Sequence, residues 1–150
     1  QIAILVADGV DSASLRPLRE GLVAAGAQCT VVGPWLGTVR SASQRKLEVD
    51  ATFASMPSVM FDAVLLPAGA QAAQALAASG EAVHFVHEAY KHCKTLCAVG
   101  EGAQLLAGLK LPEGDTPGVL VVPTPAVSTG DTESVPAIVQ QFVHGLGRHR

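Results

Sequence analysis

Charged and aromatic residues are scarce in this sequence. Only 15% of its 150 residues are Asp, Glu, Lys or Arg, and only 4% are aromatic. It has no stripe of Lys and Arg interleaved with aromatic residues, the pattern typical of nucleic-acid binding. Its apolar runs all stop short of the roughly 18 residues that predict a membrane-spanning helix. We therefore expect neither a nucleic-acid partner nor a membrane partner.

Cysteine is scarce, and an initiator methionine is missing. Cys29, Cys93 and Cys97 are an odd number of cysteines in a chain without a signal sequence, which predicts reduced thiols and a cytoplasmic location. The chain opens directly in an apolar run, Gln1 to Ala7. We expect a domain cut from a longer polypeptide, with processing or terminal trimming as the alternatives.

The apolar content is high enough for a substantial core. Hydrophobic residues make up 49% of the chain and the net charge is only −3, which argues against disorder. A length of 150 residues corresponds to about one domain. We therefore expect a single domain over residues 1–150.

Short apolar runs alternate with amphipathic segments. The predicted strands are Ile2–Ala7, Gln28–Val32, Ala63–Pro67, Thr95–Val99 and Val119–Val122. The predicted helices cover about 12–25, 71–78, 81–93 and 132–145, and the segments 37–39 and 47–49 predict a small hairpin on the sheet edge. This alternation predicts an α/β, flavodoxin-like, doubly wound and mostly parallel sheet with helices on both faces.

Two helices have apolar faces that we expect to be buried. In the first helix this face combines Leu15, Leu18, Leu22 and Val23. The apolar face of the 81–93 helix is made of Val83, Val86, Tyr90 and Cys93.

The segment from Lys94 to Leu106 reads as a strand, a tight turn and the start of a helix. α/β enzymes place a nucleophile at such a turn, because the turn lifts one side chain above the sheet edge. The apex here is Gly100 or Glu101, and neither is a nucleophile. Ligands in this fold bind at the carboxyl ends of the strands, where we expect the turns 8–11, 68–70 and 100–102.

Asp11 and Glu101 are the main candidate pair at this edge, on turns that we expect to be adjacent. Two carboxylates could act as acid and base. The alternative is structural: Asp11 caps a helix and Glu101 lies favourably against a helix dipole. A dinucleotide or FMN phosphate is disfavoured, because Leu105 stands where a third glycine is needed and Asp8 and Asp11 would repel a phosphate.

The thiols and histidines have simple structural interpretations. We expect Cys97 and Cys93 to fill the core, while Cys29 has no evident partner and the cysteine spacings do not predict a zinc site. His84 and His87, three residues apart on a helix, could form a two-ligand metal face, but a solvated face is favoured and His92 is too far round to join them. His144 and His149 are expected on the surface.

The whole chain resembles the class I glutamine amidotransferase-like superfamily, which includes protein deglycases and intracellular cysteine peptidases. Their elbow reads roughly Ala-Ile-Cys-His-Gly-Pro, followed by Leu-Leu. Alignment on Gly102 and Leu105-Leu106 puts the cysteine position on Gly100, the histidine position on Glu101 and the acidic partner on Asp11. The resemblance therefore implies a vestigial elbow and no catalytic residue.

One branch of that superfamily is a closer match, the C-terminal domain of large-subunit haem catalases. The segments that carry this resemblance are Ile4–Asp11, Val49–Phe53, Pro57–Val59, Phe61–Val64 and Glu88–Lys94. The resemblance runs from Gln1 to about Gly108 and is looser beyond.

That resemblance implies a non-catalytic accessory domain that follows a catalase core and binds no cofactor itself, since the haem belongs to the core. Its partners would be that core and the neighbouring subunits of a homotetramer, and unfolded proteins if the domain acts as a chaperone. It would support stability, assembly or substrate access. The alternatives are a free-standing glyoxalase or deglycase-like enzyme and a small-ligand-binding module.

Overall fold

The computed structural model describes residues 1–111, 116–123 and 134–147. Its strands are β1 (Ile2–Leu5), β2 (Cys29–Gly33), β3 (Gly37–Arg40), β4 (Lys46–Val49), β5 (Ala51–Thr52), β6 (Ala63–Leu66), β7 (Thr95–Val99) and β8 (Val119–Val122). Its α-helices are α1 (Ser12–Ala24), α2 (Ala70–Ala78), α3 (Gly80–Lys91), α4 (Gln104–Ala107) and α5 (Ser134–Leu146), and single 3-10 turns cover Ser58–Met60 and Gly100–Ala103. The predicted alternation of strands and helices is confirmed.

Six of the described strands form one parallel sheet in the order β5-β2-β1-β6-β7-β8. Strand β1 lies near its centre, where Ile4 pairs with Val31 on one side and with Leu65 on the other. All residues of β1, β6 and β7 are buried. These strands need apolar residues at every position, because helices cover both of their faces.

Helices cover the two faces of this sheet in separate layers. α1 packs against α5 in one layer, and α2 packs against α3 and α4 in the other. The contact between α1 and α5 is close: a Cβ atom added to Gly21 would lie 2.8 Å from Cγ2 of Val139. The predicted doubly wound, flavodoxin-like arrangement is confirmed.

The predicted hairpin is formed by β3 and β4, which pair antiparallel with each other. The edge of the main sheet beside β2 is occupied by β5, a two-residue strand that sequence patterns did not predict. The hairpin is joined to the turn after β1, because the backbone N–H of Gly9 donates to the carbonyl of Arg40 at 2.7 Å and the N–H of Ala42 donates to the carbonyl of Val10 at 2.8 Å.

Two of the predicted helix faces need correction. Val23 is 55% exposed, although Leu15, Leu18 and Leu22 on the same helix are buried. Cys93 is exposed and lies beyond the end of α3 in a left-handed conformation, with φ of +58°. There the N–H of Lys94 donates to the carbonyl of Ala89 at 2.9 Å, the pattern that ends a helix and turns the following residue away from its face.

The closing helix is confirmed from Ser134 onward, and its residues Ile138, Val139 and Phe142 are buried. Its predicted first residues, 132 and 133, lie outside the described residues, as do His149, residues 112–115 of the predicted loop, and 124–125 after β8. Within the described ranges, none of the helices combines the length and the apolar character needed to cross a membrane.

Candidate functional site

The carboxyl ends of β1, β6 and β7 form one edge, where the turn after β6 contacts the turns after β1 and β7. The backbone N–H of Asp11, after β1, donates to the carbonyl of Ala68, after β6, at 2.9 Å. The N–H of Gly69 donates to Oε2 of Glu101, after β7, at 3.2 Å. The turn after β6 therefore lies between the other two turns and is hydrogen-bonded to each of them.

Glycines make this close approach possible. Gly69 has φ of +125°, and a Cβ atom on it would lie 2.5 Å from the carbonyl oxygen of Gly9 and 2.8 Å from the backbone nitrogen of Asp11. A Cβ atom on Gly102 would overlap the carbonyl oxygen of Leu66 and lie 2.7 Å from that of Pro67. No side-chain carbon fits between these turns.

The elbow after β7 keeps its shape without a reactive group. Gly100 has φ of +51° and begins the 3-10 turn that leads into α4. This is the position where the superfamily resemblance aligns a cysteine. A left-handed φ is costly for residues that carry a Cβ atom, so glycine forms this turn without strain, and the nucleophile is absent.

Asp11 is the N-cap of α1. Its carboxylate accepts from the N–H of Ala13 at 3.1 Å, and its carbonyl oxygen accepts from the N–H of Leu15 at 3.2 Å. The structural interpretation of Asp11 is therefore confirmed, since one carboxylate oxygen satisfies a free amide at the start of the helix.

Glu101 has an exposed side chain that reaches across to the turn after β6. The hydrogen bond that Glu101 accepts comes from the N–H of Gly69, which is the N-cap of α2. The carboxylate of Glu101 therefore lies at the start of α2, where the helix dipole favours a negative charge.

The expectation that Asp11 and Glu101 lie on adjacent turns is wrong. The turn after β6 separates them, because β6 lies between β1 and β7 in the sheet. Sequence patterns do not reveal this order, since β1 and β6 are about 60 residues apart. Within the described ranges, the two carboxylates share no hydrogen bond, and each is engaged with a different helix.

The three cysteines all lie within the described residues and are free thiols. Cys97 is 1% exposed in the middle of β7, and burial raises the pKa of its thiol from 9.0 to about 12. The prediction that Cys97 fills the core is confirmed. Cys29 is partly buried at the start of β2, and burial raises the pKa of its thiol too.

The predicted histidine face lies on α3 and is exposed, as expected. Nδ1 of His87 lies 3.7 Å from Glu88, while Nε2 of His92 lies 3.5 Å and Nζ of Lys91 3.6 Å from the same carboxylate. His92 is therefore closer to this face than its spacing indicated. Within the part of the chain that the structure describes, no three His, Cys, Asp or Glu side chains are grouped to hold a metal ion.

Glu88 is the centre of that histidine face. Partial burial raises the pKa of its carboxyl, but Lys91, His84, His92 and His87 together outweigh that effect and lower the pKa below its usual value. The carboxylate is therefore charged at neutral pH, and it offsets the charge of Lys91 at the end of α3.

Over its full length, residues 1–150, the sequence matches a protein family described as the C-terminal domain found in long catalases. This chain belongs to that family. The match extends past Gly108, where the predicted resemblance became looser.

Curated catalases are similar to this catalase C-terminal domain. Catalase HPII of Pseudomonas aeruginosa is 39% identical over 121 residues, which cover 81% of this chain and 17% of that protein. Catalase HPII of Mycobacterium avium is 35% identical over 154 aligned residues, covering 100% of this chain and 22% of that protein. The chain therefore spans about a fifth of the length of the curated relatives it matches.

Solved structures show the same fold at low identity. A two-domain protein from Anabaena variabilis with DJ-1/ThiJ/PfpI-like and ferritin-like domains aligns with a TM-score of 0.83 at 20% identity, covering 99% of this chain and 48% of that one. DJ-1 of Schizosaccharomyces pombe aligns with a TM-score of 0.74 at 14% identity, covering 94% of this chain and 97% of that one. These likenesses confirm the expected superfamily fold.

Two features of the site were missed at the sequence level. One is the role of Gly69, although Pro67-Ala68-Gly69 directly after a buried strand is a turn signal. The other is the hydrogen bond between Glu101 and Gly69, which has no sequence signal because it joins turns 32 residues apart.

We predict that Gly69→Ala lowers the free energy of unfolding by about 3 kcal/mol or more, because the new methyl group meets backbone atoms and φ stays positive. Urea denaturation followed by circular dichroism measures the change. Gly80→Ala is the matched control, since nothing lies within 4 Å of a Cβ atom there. The control should change stability by no more than about 1 kcal/mol, and equal losses in the two variants would contradict the argument.

We predict that Gly100→Cys does not create hydrolysis or methylglyoxal consumption. The new thiol would stand beside Glu101, whose negative charge disfavours a thiolate, and an activating base is absent from the neighbouring position. Loss of methylglyoxal and release of p-nitrophenol from its acetate are the assays. The double variant Gly100→Cys, Glu101→His is the comparison, and turnover by the single variant would refute the prediction.

We predict that Ellman's reagent labels Cys93 fastest in the native protein and labels Cys97 only after unfolding. Because the raised pKa of Cys97 keeps more protons on the native state, unfolding free energy should fall as pH rises from about 9 to about 12. Cys97→Ala should show a shallower fall over that range. Rapid labelling of Cys97 in the folded protein would contradict its burial.

Proposed function

We propose that this domain is the non-catalytic accessory part of a large-subunit haem catalase whose core decomposes hydrogen peroxide. The observation that carries the proposal is Gly100 at the elbow of a domain that belongs to the long-catalase family. The elbow offers no side chain for attack on a substrate. The neighbouring Glu101 is engaged with Gly69, as a structural residue would be.

Under the proposal, haem belongs to the catalase core and this domain binds none. Haem iron is held by His, Cys, Tyr or Met from within an enclosed pocket. Exposed side chains are found at His84, His87, His92, His144, Cys93 and Met60. Cys97 is sealed inside the sheet, while Cys29, Tyr90 and Met56 are only partly buried. Under the proposal, the haem and the peroxide chemistry belong to the catalase portion alone.

The accessory roles that we propose are support of the tetramer, of the core's stability and of substrate access. The partners are the catalase core of the same chain and the neighbouring subunits of a homotetramer, in the cytoplasm. Exposed apolar side chains support a further role in holding unfolded proteins, because such groups mark interaction surfaces. Two adjacent pairs carry them: Trp35 with Leu36, and Val59 with Met60.

We predict that the long protein that ends in this domain shows a haem absorption band and decomposes hydrogen peroxide, whereas the isolated 150-residue chain does neither. Removing the domain should leave haem bound but lower the temperature at which the tetramer dissociates. Spectroscopy, oxygen release and light scattering during heating measure these properties.

The isolated chain is also the control for the rival enzyme function. Methylglyoxal consumption by the isolated chain that is lost in Glu101→Ala would overturn the proposal. A long protein without haem would overturn it as well.

A further inference from the structure

A groove runs between α1 and the β3–β4 hairpin on the surface of the domain. It encloses about 950 Å³ and its rim carries Arg16, Arg19, Arg45 and Lys46. Val23 and Leu47 supply apolar surface within it. We call this feature the basic groove.

The charge of the basic groove is opposite to that of the chain. The four cations of the rim are accompanied by one carboxylate, that of Glu20. Glu20 is already paired, since its Oε1 lies 3.1 Å from Nε of Arg16. The groove thus has a surplus of three positive charges in a chain whose net charge is −3. Such a local excess favours a negatively charged partner.

The apolar surface of the basic groove is supplied by one residue of α1 and one of the hairpin. Val23 belongs to the apolar pattern of that helix and is nevertheless 55% exposed. Leu47 is only partly buried on the facing hairpin. Apolar surface enclosed by a charged rim is the usual composition of a protein interface.

Three other cavities among the described residues differ from the basic groove. The cavity beside α4 combines apolar side chains with a single cation, Lys110. The cavity beside α3 is lined by His84, His92, Glu81 and Glu88, so it carries two carboxylates and no Lys or Arg. The cavity between α1 and α5 is lined by apolar residues and one glutamine, and it holds no charge to select a partner.

We propose that the basic groove docks an acidic segment with apolar side chains, contributed by the catalase portion of the same long protein. This inference rests on the proposed function. About four fifths of each long relative lies outside the part that matches this domain, and domain contacts within a chain commonly bury about 600–1,500 Å². The surplus of positive charge and the apolar surface of the basic groove make it the candidate for that contact, and they call for an acidic partner segment.

Zero-length cross-linking tests the proposal in the intact long catalase. A water-soluble carbodiimide joins an amine to a carboxylate only when the two are in contact. We expect Nζ of Lys46 to be linked to Asp or Glu side chains of the catalase portion, as identified by mass spectrometry of the digested protein. Links only to Glu20 or Glu48, to a second copy of this domain, or to no residue at all would overturn the proposal.

Charge reversal supplies the control. Arg19→Glu with Arg45→Glu should reduce the yield of the Lys46 cross-link at least tenfold, and 1 M NaCl should reduce it in the unmodified protein, because salt screens exposed charges. Lys91→Glu is the matched variant, on α3 and in the opposite helix layer, and should leave the yield unchanged. Equal yields in all three proteins would overturn the proposal.

Thermal melting of each variant as the isolated chain shows whether the substitutions disturb the fold. Haem absorption and peroxide decomposition are followed in the same samples. An intact catalase without the Lys46 cross-link defeats this inference alone, whereas a long protein without haem defeats the proposed function.

Discussion

The contact of three turns, backbone against backbone, is the constraint on which the rest of the structure depends. Gly69 and Gly102 bring the ends of β1, β6 and β7 so close that a Cβ atom on either glycine would meet backbone atoms of a neighbouring turn. The turn after β6 receives Asp11 on one side and Glu101 on the other. That packing explains why the elbow at Gly100 persists without chemistry: the geometry is needed to join the strands to their helices.

Most of the fold follows from local patterns in the sequence. Continuous apolar runs such as Ile2–Leu5 and Thr95–Val99 indicate strands buried on both faces, and both are found. The cap at Asp11 and the burial of Cys97 were also predictable, because each depends on neighbours within a few residues. In the site, the absence of a nucleophile could be predicted as well, because it depends only on which residue occupies position 100.

What could not be predicted depends on groups distant in the chain. The order of strands separates Asp11 from Glu101, and helix periodicity does not contain that order. Val23 belongs to the apolar pattern of α1 but is 55% exposed, in the groove between α1 and the hairpin. Cys93 left its predicted face because the chain turns sharply at the end of α3. Strand β5 is only two residues long, too short to show the alternation of apolar and polar residues that predicts a strand.

The central position of β1 has a consequence for how the chain folds. Its first residues pair with Cys29 on one side and with Ala63 on the other, so the middle of the sheet joins segments about 60 residues apart. Contacts between distant segments slow folding. Until β6 pairs with β1, one row of backbone N–H and C=O groups of β1 is unpaired, and all of its side chains are apolar. A strand in that state can pair with other chains. The domain is therefore most vulnerable to aggregation in the period before β6 pairs with β1.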